Sequence, residues 1–138
     1  MTSRVKGLDH IGVAVDQADE VARTLCDVLG ATESGREELA GEGLRVISID
    51  AGDTHLELLE PTGPGGAVRR FLDKRGNAMH HICLAVDDLA AELTRLTAAG
   101  VPLIDEQPRS GAYGKQVAFI HPRATGGILI ELSQKPAT

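Results

Sequence analysis

Leu8-Asp9-His10-Ile11-Gly12-Val13-Ala14-Val15-Asp16 is followed much later in the chain by its own echo, Met79-His80-His81-Ile82-Cys83-Leu84-Ala85-Val86-Asp87. The pairs His10/His81, Ile11/Ile82, Ala14/Ala85, Val15/Val86 and Asp16/Asp87 are identical. Both copies alternate, the pattern of a strand with one apolar, buried face. Ile11, Val13 and Val15 are expected on that face of the first copy, and Ile82, Leu84 and Val86 on that of the second. The opposite faces carry His10, Gly12, Ala14 and His81, Cys83, Ala85. A histidine followed by small residues suits a strand lining a cleft.

Working outward, each copy leads into the same grammar. Asp16 is read as a helix N-cap, with Val21, Leu25, Val28 and Leu29 at helical spacing and Gly30 as the stop. Asp87 caps the second helix, Leu89, Leu93 and Leu96 form its stripe, and Gly100 ends it. Residues 31–39, 44–50 and 54–60 then read as strands between glycine-containing turns at 41–43 and 52–53. Residues 101–107, 115–121 and 128–133 repeat them, with turns at 111–114 and 126–127. The expectation is an α+β fold, one domain over residues 1–138 made of two tandem βαβββ modules, about 7–61 and 78–133. The joint between them, residues 61–78, holds a Gly/Pro turn and a short helix over 67–75 closed by Gly76.

A chain of 138 residues can bury a sizeable core, and 42% hydrophobic and 25% charged residues are ordinary for a globular protein. The net charge of −6 argues against a nucleic-acid partner. No apolar run approaches the roughly 20 residues of a membrane span, and nine residues before His10 leave no room for a signal peptide. Cys26 and Cys83 form no obvious staple, so a cytoplasmic setting is expected. Phe71, Tyr113 and Phe119 are the aromatics, too few for a site built on stacking.

A second matched pair closes each module. Leu56-Glu57-Leu58 is answered by Ile130-Glu131-Leu132. Each glutamate points away from its apolar neighbours, and an unpartnered buried carboxylate is costly. If a pseudo-twofold axis relates the modules, His10, Glu57, His81 and Glu131 converge. Two imidazoles and two carboxylates suit Co²⁺, Mn²⁺, Ni²⁺, Zn²⁺ or Fe²⁺, with two positions of a six-coordinate ion left for water or substrate oxygens. The bland alternative is that each histidine is a hydrogen-bonded structural residue. His55, His80 and His121 are read as structural or surface residues, and Cys83 as a small filler.

The duplicated module with His, Glu, His and Glu at these places resembles the vicinal oxygen chelate superfamily. It is most similar there to the methylmalonyl-CoA epimerases. The matching stretches are Asp9 to Val15, Leu56-Glu57-Leu58-Leu59-Glu60-Pro61, Arg70 to Gly76, His80-His81-Ile82, Leu103 to Glu106, and Phe119-Ile120-His121-Pro122-Arg123. They end with Gly126-Gly127-Ile128-Leu129-Ile130-Glu131-Leu132, and the resemblance spans about residues 8–133. It implies a fold with a metal-lined cleft. It also implies inversion at C2 of methylmalonyl-CoA by proton removal and return through a metal-stabilised enolate. His10, Glu57, His81 and Glu131 would be the metal ligands, for Co²⁺ first, then Mn²⁺, Ni²⁺ or Zn²⁺. Glu131 would be one catalytic base, with Glu57 the symmetric candidate for the other. An acyl-CoA substrate and a homodimer are implied as well.

Three departures stand out. Some members have Gln where this chain has Glu57, although Glu there also resembles glyoxalase I. Some carry a catalytic Glu where this chain has Val46. The common Gly-Ala-His-Gly loop is here Gly111-Ala112-Tyr113-Gly114. Arg109, Lys115 and Arg123 are candidates for the CoA phosphates. The alternatives are a glyoxalase I-type lactoylglutathione lyase and a non-catalytic small-molecule binder of the same fold. An extradiol dioxygenase would leave Glu57 surplus.

Overall fold

The structure, a computed structural model, describes residues 4–137. The chain forms two compact units. One is His10–His80; the other joins residues 4–9 to residues 81–137. In the first, β1 (Val5–Ala14) lies parallel to β4 (Thr54–Pro61), with Gly12 opposite Glu57 and Ala14 opposite Leu59. β4 pairs antiparallel with β3 (Leu44–Ala51), and β3 with β2 (Thr32–Leu39). Alternation gives this four-stranded sheet two faces. On one, Val15, Ile47, Ile49 and Leu58 pack with Ala18 and Ala22 of α1 (Ala18–Arg23). On the other, Ala14, Val46 and Leu59 pack under Val68 and Leu72 of α2 (Ala67–Arg75). His10, Gly12, Ser48 and Glu57 have the parity of this second face, so α2 covers one end of the face that carries the candidate ligands.

The second unit repeats the plan. β5 (Ala78–Val86) lies parallel to β8 (Ile130–Gln134), with Cys83 opposite Glu131. β8 pairs antiparallel with β7 (Gln116–Ile120), and β7 with the two-residue β6 (Arg109–Ser110). α3 (Leu89–Ala98) buries Leu89 and Leu93 against Val86, Ala118, Ile130 and Leu132. The joint helix occupies the expected residues, closed at Gly76 with φ of +71°.

The strand faces are partly reversed from expectation. His10, Gly12 and Ala14 are buried while Ile11 and Val13 are half-buried, because α2 closes over Ala14. Three local expectations are corrected. Gln17 and Asp88, not Asp16 and Asp87, occupy the N-cap positions. The first helix changes at Thr24 into a π-helical turn (Thr24–Val28), with Leu29 N–H donating to the Thr24 carbonyl. That turn carries Val28 and Leu29 off the buried stripe, and they are 75% and 71% exposed. Residues 101–107 are not a strand. Pro102 and Pro108 cannot donate to a ladder, Leu103 makes a single bridge to Ile120, and the Asp105 carboxylate takes the Phe119 N–H at 2.8 Å.

Both helices take a cap from the strand that carries their module's glutamate. Glu60 Oε2 accepts from Ala18 N–H, and Gln134 Oε1 from Leu89 N–H, each at 2.8 Å. Asp88 adds its own bond to Ala91 N–H in the second module.

Candidate active site

In the first unit, strand parity puts His10 one step along β1 from Gly12, the residue opposite Glu57. His10 Nδ1 lies 3.3 Å from Glu57 Oε2, and the two side chains are 4% and 9% exposed. Ser48, also buried, stands opposite Glu57 on the other side, in β3. In the second unit, His81 Nε2 lies 3.1 Å from Glu131 Oε1, with side chains 5% and 10% exposed. The Phe119 ring meets His81 edge-on at 5.4 Å. Each unit thus buries one imidazole against one carboxylate, and each glutamate is flanked by apolar core residues.

A buried carboxylate survives only with a compensating partner. An imidazole supplies part of that compensation, and a cation held by the same oxygen and ring nitrogen supplies more. The nitrogen and the oxygen that meet in each pair are donors of borderline hardness, the chemistry that suits a divalent transition ion. A carboxylate so placed has a second oxygen available for proton transfer.

The remaining histidines do other work. His55 pairs with Asp50 on an exposed hairpin. His80 meets the Phe71 ring edge-on at 4.9 Å. The His121 Nδ1 accepts from Arg123 N–H and caps a 3-10 turn. Cys83 is fully buried, Cys26 is half-buried, and neither is in a disulfide. Of the cations read as phosphate ligands, Lys115 Nζ is held by Asp9 at 2.6 Å in a largely buried pair. Arg109 pairs with Asp105 at 3.3 Å and stacks over Phe119. Arg123 stays exposed. Val46 is 1% exposed beneath α2, so no carboxylate comes from that position. Sequence reasoning missed Ser48 and the Asp9–Lys115 pair. Both follow from register and tertiary approach, for which a single sequence offers no signal beyond the closeness of Asp9 to His10.

Residues 9–119 match the glyoxalase/bleomycin resistance protein/dioxygenase superfamily. Among curated proteins, the mitochondrial methylmalonyl-CoA epimerase of Mus musculus is 36% identical over 128 residues, 92% of this chain and 72% of that protein. The crystal structure of methylmalonyl-CoA epimerase from Mycobacterium tuberculosis superposes with a TM-score of 0.93 at 34% identity, covering 99% of this chain and 93% of that one. A methylmalonyl-CoA epimerase in complex with methylmalonyl-CoA and NH4+ gives a TM-score of 0.89 at 30% identity, covering 96% of each chain. The chain belongs to the glyoxalase/bleomycin resistance/dioxygenase superfamily and, within it, to the methylmalonyl-CoA epimerase family.

Proposed function

We propose that this chain inverts C2 of methylmalonyl-CoA, with His10, Glu57, His81 and Glu131 holding one divalent ion, Co²⁺ before Mn²⁺, Ni²⁺ or Zn²⁺. The observation that carries the reading is the repeated buried pair, His10 with Glu57 and His81 with Glu131, in a chain whose relatives are named for this reaction. When bound, the ion supplies the positive charge that makes loss of a proton beside a carboxylate feasible. Glu131 takes the C2 proton, and the electron pair left on C2 delocalises into the thioester carbonyl. Glu57, the matching carboxylate of the other module, returns a proton to the opposite face; the reverse reaction exchanges the roles. Both carboxylates are about nine-tenths buried, which limits competition from bulk water. Val46 supplies no base of its own, which leaves that duty to the ligand glutamate.

The protein is read as a cytoplasmic homodimer that takes an acyl-CoA. Among the described residues no helix is long and apolar enough to cross a membrane. Metal-loaded protein incubated with methylmalonyl-CoA in D₂O should place deuterium at C2, and a chelator should stop it. Turnover of a glutathione hemithioacetal without exchange at C2 would assign the site to glyoxalase I chemistry instead.

A further inference from the structure

Helix α2 is the most basic stretch of a chain whose net charge is −6. It carries Arg69, Arg70, Lys74 and Arg75 against a single Asp73. Arg69 is engaged with Asp16 at 3.6 Å. Among the described residues, Arg70, Lys74 and Arg75 form no ion pair, nor do the scattered Arg23, Arg123 and Lys135, whereas Arg36, Arg45, Arg95, Arg109 and Lys115 each have a carboxylate partner; α2 alone groups three such cations on one element. Arg70 and Lys74 stand one turn apart on the exposed side of the helix, opposite Val68 and Leu72. Arg75 lies over the Phe71 ring at 5.5 Å, and Phe71 packs into the cluster beneath α2, so this guanidinium is held in place.

The helix is also in the right place. Its inward residues rest on the row Ala14, Leu59 and Val46, one rung along the same sheet face from Gly12, Glu57 and Ser48. One rung is two residues, about 7 Å, and a helix with its side chains is about 10 Å across. An extended pantetheine arm spans that order of distance from a thioester beside Glu57 to the outer side of α2. We propose that Arg70, Lys74 and Arg75 seat the diphosphate and 3′-phosphate of the acyl-CoA, in place of Arg109 and Lys115, whose charges are already engaged by Asp105 and Asp9. The proposal rests on the acyl-CoA substrate class given above, and not on which bond is altered. Guanidinium and ammonium groups without internal partners are what phosphate oxygens require.

Three measurements on the metal-loaded protein test it, with an Arg70→Gln/Lys74→Gln/Arg75→Gln variant and Arg23→Gln as a control from α1. Calorimetric titration with CoA itself should show affinity at least tenfold weaker in the triple variant, and a smaller loss of affinity with added salt than in the parent. kcat/KM for methylmalonyl-CoA should fall at least tenfold more than kcat/KM for the methylmalonyl thioester of pantetheine, which lacks the phosphates. Unchanged CoA affinity, or an equal fall on both thioesters, overturns the proposal and leaves Lys74 and Arg75 as partners of the helix C-terminal dipole and Arg70 as a solvated surface charge. A parent protein that turns over neither thioester, yet binds CoA through these residues, refutes the epimerase reading and leaves the phosphate seat standing.

Discussion

Glu57 and Glu131 are each buried against a histidine, and a carboxamide at either position keeps the shape while removing the charge and the proton acceptor. Glu131→Gln should lower C2 exchange by about 10²-fold or more, the usual scale of a lost general base, read as deuterium incorporation by mass spectrometry. An unimpaired Glu131→Gln would take Glu131 out of the mechanism. Val46→Glu should not create a second base. Its carboxylate would lie among Ala14, Leu59, Val68 and Leu72, and burying it should cost about 3 kcal/mol in a denaturant titration. The two buried histidine–glutamate pairs were legible in the sequence because duplication wrote the histidine and the glutamate twice, in strands where a lone glutamate between apolar residues is otherwise hard to explain. Ser48 was not, because only the β3–β4 register brings it beside Glu57. The fate of Lys115 was equally hidden, since its partner Asp9 lies at the other end of the chain.

At the scale of elements, the joint helix and the strands of the first module were readable from alternation and glycine placement. The N-cap positions fall at Gln17 and Asp88, one residue after the expected Asp16 and Asp87. α1 has no side-chain cap of its own; Glu60 reaches across from β4 to supply it and also binds Arg45 at 2.8 Å. Glu60→Ala should therefore destabilise the protein by about 1 kcal/mol, the ordinary worth of an N-cap, measured as a lower urea midpoint. Asp19 on the same helix bonds Arg45 and Arg36, which hold its carboxyl below the usual range, and Arg36 does the same to Glu33. A carboxylate with a depressed folded pKa adds stability that is complete above its unfolded value, about 3.9 for Asp, and that is lost as pH falls through the folded value. Between pH 5 and pH 3, Tm should thus fall more steeply in the parent than in Asp19→Asn. Parallel Tm curves for the two proteins would show that the pairs contribute nothing. The strand expected over residues 101–107 does not form: Pro102 inside the stretch and Pro108 beside it cannot donate to a ladder, and this outweighs the apolar pattern of Val101, Leu103 and Ile104.

On the scale of the whole molecule, the governing fact is repetition with one asymmetry. Both units bury a histidine–glutamate pair beside a parallel strand contact, and both cap their helix from the strand that bears the glutamate. Among the described residues only the first unit adds a helix, α2, over the end of that face, and that helix groups three cations that have no ion pair. In the proposed function the two pairs serve one ion. Titration of metal-free protein with Co²⁺, followed by the cobalt absorption bands and counted by elemental analysis, tests it most directly. One ion per chain, lost on His10→Ala and equally on His81→Ala, is the predicted result. Two ions per chain, or binding that survives the loss of either histidine, would contradict it.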